Sequence, residues 1–379
     1  MRPIIMLIGV GDLGGVILEL LAREGWPGRI VAADRDARRG IERCNLARIG
    51  ALAQGYSTDL RFVPLDLQRP ETVVEAVQRE EPDLIISTAS LMTWWLPDLL
   101  PEPQAKRIKS AGFGVWLPVH LTLSLKLMQA LREAGYAGHV LTAPFPDVVN
   151  AILGKLDLAP TCGIGNLDEI VPKIGLMAAA RLDVAVDELK VSLVAHHALE
   201  PFVFGKPAGE LPPYFLRIEH DGHDVTGKIR ARELLLAPYD LPEGPLTHFL
   251  TAGSAVRLLR ALTGEVETYL HAPAPNGLPG GYPVLACREG VRPAPIPGFS
   301  LDEAITINTR SHRFDGVERI ERDGTAVFVG ERAEILQGEL GYDCRRLPVS
   351  EAEERAGELI ARFTEYASRH GADLRRSRA

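Results

Sequence analysis

Six residues, Gly9-Val10-Gly11-Asp12-Leu13-Gly14, constrain this chain more than any other segment. They follow the apolar run Pro3–Val10 and precede Val16–Glu24, whose spacing predicts a helix. Alone, G-x-G-x-x-G is a weak pattern. Between a strand buried on both faces and the start of a helix it becomes specific. Gly9 permits a tight turn, Gly11 lets a phosphate reach the backbone, and Gly14 lets helix and strand pack closely. The helix then presents free N–H groups and a partial positive charge to a pyrophosphate.

Downstream, apolar runs alternate with helical patterns. Strands are expected at Arg29–Ala33 (ending at Asp34), Arg61–Leu65, Asp83–Ser87 and His139–Thr142. Helices are expected at Arg38–Ala53, Pro70–Glu80 and Leu121–Ala134. This alternation implies a parallel sheet with right-handed crossovers. The fold class read from it is α/β: a Rossmann-type doubly wound sheet over residues 1–150, then an α+β substrate domain over 151–309. The C-terminal extension, 310–379, is expected to be a hairpin around Asp323-Gly324 plus a closing helix Glu351–His370, packed on the second domain. Strands are also expected at Lys190–Val194, Tyr282–Cys287, Arg313–Ile320 and Thr325–Val329, with helices at Val148–Leu156, Ile170–Leu182 and Thr247–Thr263. Pro207–Pro213 and Ala272–Tyr282 read as loops.

Asp34, ending the second strand, suits the hydroxyls of an adenosine ribose and favours NAD. Arg35, Arg38 and Arg39 follow at once. They are either a solvated helix start or a cradle for the extra phosphate of NADP. The cofactor-contacting set from the motif is Gly9, Gly11, Asp12, Leu13, Gly14, Asp34 and Arg35.

Composition narrows the class. Of 379 residues, 46% are hydrophobic and 24% charged, enough apolar content for a large core. A net charge of −8 argues against nucleic acid or an anionic membrane as partner. The four cysteines, Cys44, Cys162, Cys287 and Cys344, form no metal knuckle, and a reducing cytoplasm is the expected location. Glycines and charges interrupt the first twenty residues, so neither a secretory signal nor a membrane span is expected. The cluster His220-Asp221-Gly222-His223-Asp224 reads as an exposed turn before it reads as a metal site.

Several segments resemble, in order, the lactate/malate dehydrogenase family. Leu84–Ser90 resembles its apolar strand ending in Thr-Ala-Gly. Val140–Pro144 with Asp147-Val148-Val149 is similar to its Thr-Asn-Pro-Val-Asp segment. Gly163–Asp168 is similar to the stretch carrying its catalytic aspartate, and Leu193–His196 falls where the family has its catalytic histidine. Gly280–Leu285 resembles its Gly-Val-Pro-Val strand. The resemblance implies hydride transfer between a nicotinamide and an alcohol or ketone, a homo-oligomer, and a small-molecule substrate. It adds Thr88, Ala89, Ser90 and Thr142 to the cofactor set. It names His196 as the proton acceptor and Asp168 as its orienting carboxylate, with adjacent His197 as the other candidate base.

Departures from the family are informative. Its substrate-carboxylate arginine falls at Val171, which cannot clamp a carboxylate. Its asparagine before proline is Ala143, and its arginine-bearing loop is replaced by the Trp- and Pro-rich connection Ser90–His120, with Lys106, Arg107 and Lys109 inside it. A standard small 2-hydroxy acid is therefore not expected. Trp94, Trp95 and Trp116 either line a pocket or pack the loop. The first 150 residues also resemble the cofactor domain of saccharopine-dehydrogenase-type reductases, notably at Asp66-Leu67. That resemblance implies amine or imine chemistry without a His196–Asp168 pair. A non-catalytic dinucleotide sensor is the third reading.

Overall fold

The computed structural model describes residues 2–205, 209–242 and 244–374. The loop expected at Pro207–Pro213 thus begins outside the described residues. The chain opens with β1 (Ile4–Ile8), α1 (Asp12–Leu21), β2 (Arg29–Asp34), α2 (Ala37–Ala53), β3 (Asp59–Pro64), α3 (Pro70–Glu80) and β4 (Leu84–Ser87). Then come α4 (Glu102–Ser110), α5 (Leu117–Glu133), β5 (His139–Thr142), α6 (Pro146–Lys155) and β6 (Cys162–Gly163). The six strands form one parallel sheet in the order β3-β2-β1-β4-β5-β6.

The local causes are plain. The strand Ile-Ile-Met-Leu-Ile is apolar on both faces because helices cover both sides of the sheet. Ile17, Leu18 and Leu21 of α1 are fully buried, each contributing about 1.5–3 kcal/mol by leaving water. α3 starts with Pro70 at its first position, where the missing N–H is not needed. Strand order reverses between β1 and β4, and the carboxyl ends of both strands open onto one crevice.

The first sheet reaches beyond residue 150, because β6 pairs with β5 through Leu141–Cys162 and Thr142–Gly163. The rest is antiparallel. After α7 (Leu167–Leu182), β7 (Leu189–Val194) pairs with β8 (Phe215–His220), which pairs with β9 (His223–Asp224). A second three-stranded sheet uses Thr268–Pro273, Gly281–Cys287 and Gly290–Pro293. The bridge Ala195–Gly281 ties the two sheets together. The helix His248–Ala261 packs against α1 and so joins this unit to the first.

The extension corrects the sequence reading. Its closing helix, Ala352–Arg369, packs against α5 of the first unit rather than on the second. Trp116 meets Phe363 edge to face at 5.2 Å, and both share one core with α3, α5 and α6. The helix has a strongly one-sided apolar face, and that face buries an apolar flank of α5. The hairpin is present as Val317–Ile320 paired with Ala326–Phe328, with Gly324 at φ +84° in its turn. Residues 313–315, expected to start a strand, instead belong to a 3-10 turn, His312–Asp315. The connection after β4 is also more ordered than expected, since it contains α4.

Candidate functional site

The crevice at the strand-order reversal is a cleft of about 1270 Å³. One end is built by the glycine turn. Gly9 stands at φ +87°, and a Cβ on Gly14 would lie 1.8 Å from the Gly9 carbonyl oxygen, so no side chain fits there. Gly11 faces open space and caps α1 with no side chain, leaving the first N–H groups of the helix free for an anion. Thr88 Oγ1 donates to the Gly9 carbonyl (2.9 Å) and fixes the turn against the end of β4.

Gly9, Gly11, Asp12, Leu13, Asp34, Arg35, Thr88, Ala89 and Ser90 all line this cleft. Gly14 supports the turn from behind. Thr142 does not reach the cleft: it is fully buried and donates from Oγ1 to Asn150 Oδ1 at 2.8 Å. Asp34 is nearly buried and already engaged. Val10 N donates to its Oδ2 (2.9 Å), Asp36 N to its Oδ1 (2.9 Å), and Arg39 Nη2 bridges both oxygens at 2.9 and 3.2 Å. Arg39 is thus the basic side chain that partners Asp34. The crevice, the glycine cradle and the uncapped helix together fit a dinucleotide.

Of the tryptophans, Trp94 lines the cleft and Trp95 Nε1 donates to Asp12 Oδ2 at 3.2 Å. Trp116 is core. Lys109 lines the cleft but is paired with Asp98, and Arg107 is held by Glu339 at 3.3 Å.

At the other end of the cleft the expected His196–Asp168 pair does not form. Asp168 is buried in the first turn of α7, with Arg257 Nη1 at 3.5 Å. Burial raises its carboxyl to about 6. Successive helix residues point about 100° apart, so it is the neighbouring Glu169, not Asp168, that α7 turns into the cleft. A similar alternation separates the histidines. His196 follows β7 in extended backbone and points into the interior, where its Nε2 lies 3.0 Å from His312 Nδ1. The next ring, His197, comes out on the cleft wall.

His197 has the partner that His196 was expected to have, but from another segment. Its Nδ1 lies 2.9 Å from Asp315 Oδ2, in the 3-10 turn of the extension, and its Nε2 lies 3.8 Å from Glu200 Oε2. Its backbone N–H donates to Asp147 Oδ2 at 2.6 Å, and Asn166 Nδ2 donates to the same oxygen at 3.1 Å. Burial alone would lower the imidazole. The Asp315 carboxylate and its hydrogen bond, then Glu200 and Asp147, outweigh burial and raise it to about 10. At Asp315 the attraction of His197, together with His196, whose Nδ1 lies 3.2 Å from the same Oδ2, outweighs burial and holds that carboxyl well below its usual range. Phe145, at the head of α6, is held in left-handed backbone (φ +45°, ψ 54°), and its ring lies 5.7 Å from that of His197.

The sequence reading missed Asp315, Glu169, Glu200 and His120. Asp147 was visible in the segment Asp147-Val148-Val149 but carried no role. Asp315 gave no signal, because the stretch Arg310–Asp343 has no counterpart in the family it resembles. The histidine-rich turn at 220–224 is an exposed β8–β9 turn. Among the described residues no group of three or more His, Cys, Asp or Glu side chains is arranged to hold a metal. Among them, too, no single helix is long and apolar enough to cross a membrane.

The fold is therefore that of a dinucleotide-crevice α/β protein with an antiparallel second unit. Among solved structures, it is similar to lactate dehydrogenase from Eimeria maxima with NADH and oxamate. The two are 14% identical over 82% of this chain and 91% of that one, with a TM-score of 0.57. It is also similar to malate dehydrogenase from Plasmodium falciparum (12% identity, 94% of this chain and 99% of that one, TM-score 0.55). Malate dehydrogenase from Cryptosporidium parvum is a third (14%, 82% and 96%, TM-score 0.56). At these identities the likeness is one of fold. No family model and no curated protein matches the chain in sequence.

Proposed function

We propose that the chain is an NAD(P)-dependent oxidoreductase that moves a hydride between the cofactor and an alcohol or ketone, with NAD as the cofactor. One observation carries the reading: the Asp315-held ring of His197 stands on the wall of the same cleft whose other end is the glycine turn. The lactate and malate dehydrogenases that share the fold support it. A bound nicotinamide would supply or take the hydride.

The chain's own work is proton handling and orientation. Asp315 accepts from Nδ1–H of His197, which leaves Nε2 to face the substrate. In the reductive direction the carbonyl carbon gains the hydride, the C=O π bond opens, and Nε2–H gives its proton to the oxygen. Asp315 neutralises the imidazolium before transfer and keeps the tautomer fixed after it. Glu200 stands near Nε2, well placed to return the proton. At the cofactor end, the uncapped start of α1 would bind the pyrophosphate and Asp34 the adenosine ribose. The engaged state of Asp34 puts Arg39 beside that ribose, and NADP is the outcome to compare.

The test is a titration of cofactor-stripped protein with NADH and with NADPH, read by nicotinamide fluorescence. Saturable binding, tighter for NADH, is expected. No binding of either nucleotide would overturn the proposal.

A further inference from the structure

The substrate end of the cleft is rich in carboxyl groups. Glu169, Glu200 and Asp315 line it, and among the described residues there the one cationic group is His197. The arginine and lysine side chains on the cleft wall are elsewhere: Arg35 and Arg39 flank Asp34, and Lys109 is paired with Asp98. Glu169 accepts from Thr251 Oγ1 at 2.6 Å, which holds its carboxyl group on the cleft wall. The two glutamates repel each other: burial first, then Glu200, pushes Glu169 up to about 8. At neutral pH Glu169 therefore holds its proton; an incoming cation would draw that proton off and favour the charged form, and an anionic group would do the reverse.

An independent feature points to what would be welcome. His120 is 4% exposed, lines the cleft, and stacks on Phe113 at 5.2 Å. Its Nε2 is buried without a hydrogen-bond partner. Its tautomer follows from its neighbours. Ser90 Oγ lies 3.0 Å from His120 Nδ1, 2.9 Å from the Met92 carbonyl oxygen and 3.1 Å from the Val119 carbonyl oxygen. Carbonyls only accept, so the single hydroxyl proton goes to one of them, and Nδ1–H of His120 donates to the hydroxyl oxygen. Nε2 is left as a bare acceptor. Burial, with His197 adding repulsion, lowers the imidazole to about 3, so it stays neutral. A buried acceptor left unpaired is costly and calls for a donor from a ligand.

We infer that the substrate carries a cationic nitrogen with N–H groups, an ammonium or protonated imine, received by Glu169, Glu200 and the unpartnered Nε2 of His120. This rests on the oxidoreductase reading above and names the substrate class of that same site. Glu200, and Glu169 once a neighbouring cation has drawn off its proton, supply charge, and the neutral imidazole supplies a directed acceptor that a hydroxyl could use but a carboxylate could not. The site thereby separates three chemistries that a carbonyl reductase meets in molecules of one size.

Those three are aminoacetone, hydroxyacetone and pyruvate, which place –CH2NH3+, –CH2OH and –COO− beside the same ketone. Each is titrated into NADH-loaded protein, with binding read by calorimetry and turnover by loss of NADH absorbance. Aminoacetone is expected to bind about tenfold tighter than hydroxyacetone, with pyruvate weakest. Glu200→Gln and, separately, Glu169→Gln should erase most of the aminoacetone advantage while leaving NADH affinity within twofold. His120→Phe, which keeps the stack on Phe113, should weaken aminoacetone and hydroxyacetone but not pyruvate. Pyruvate binding as tightly as aminoacetone, or an aminoacetone preference indifferent to all three substitutions, would overturn the inference. Binding does not require turnover, so absence of catalysis leaves the ranking readable. Failure of NADH itself to bind would instead sink the oxidoreductase reading, and the same three titrations on cofactor-free protein would still rank the charges.

Discussion

The two ends of the cleft were made in different ways. The cofactor end is local. The residues that shape it, Gly9 to Gly14, are consecutive, and a strand and a helix on either side hold them. The end proposed to handle the proton is assembled from four distant places: Asp147 at the head of α6, Glu169 in α7, His197 after β7 and Asp315 in the C-terminal extension. Backbone geometry dictates a glycine turn wherever it occurs. A carboxylate on an imidazole nitrogen can come from any segment that packs there, so its address in the sequence is not constrained.

The sharpest way to separate the two ends is His197→Asn. Turnover should fall by about 10²–10⁴-fold, while the NADH Kd changes less than twofold. Loss of NADH binding would mean the ends are not independent. Asp315→Asn should act through the same ring. With His197 raised to about 10, the reductive rate is expected to stay flat through neutral pH and to fall as pH rises through about 10. Asp315→Asn should move that fall to lower pH, and a pH–rate profile measures it. The same group affects folding. Its raised folded-state value contributes stability that is complete below the ordinary 6.5 and is lost as pH rises through about 10.

A smaller effect tests whether the extension, which supplies Asp315, is bound to the first unit by its core. Phe363, 1% exposed against Trp116, should cost about 3–5 kcal/mol when replaced by alanine. Denaturant unfolding gives that number, and a cost below 1 kcal/mol would mean the helix docks by other contacts. At the cofactor end, Gly14→Ala forces a methyl against the Gly9 carbonyl. It should cost about 1–3 kcal/mol of stability and at least tenfold in NADH affinity, both visible in a thermal melt with and without NADH. The mildest change is Lys126→Ala, which removes an exposed pair with Glu353 at 2.7 Å. It should shift stability by no more than about 1 kcal/mol.

Much of the first unit was legible in the sequence. The strands β1 to β5 and their helices lie within a few residues of where the apolar runs and turn residues put them. The closing helix was equally legible, but its docking place was not, because periodicity shows that a face is apolar and does not show what covers it. The candidate site was legible by neighbourhood rather than by residue. Leu167-Asp168 and Ala195-His196-His197 adjoin or include residues on the cleft wall, Glu169 and His197. Which of two adjacent side chains enters the cleft depends on the rotation of α7 and the exit of β7, which tertiary packing sets. The 28-residue spacing of Asp168 and His196 looked like a pair and is not one.

By itself the sequence determined the dinucleotide-type crevice, because a turn at positive φ with no room for a Cβ admits only glycine, and because buried parallel strands must be apolar on both faces. Only the tertiary structure decided that Asp315 meets His197, that Glu169 rather than Asp168 faces the cleft, and that His120 lines it with a buried, unpartnered nitrogen. Those facts are distances between segments far apart in the chain, fixed by how two sheets and a C-terminal extension close on one another.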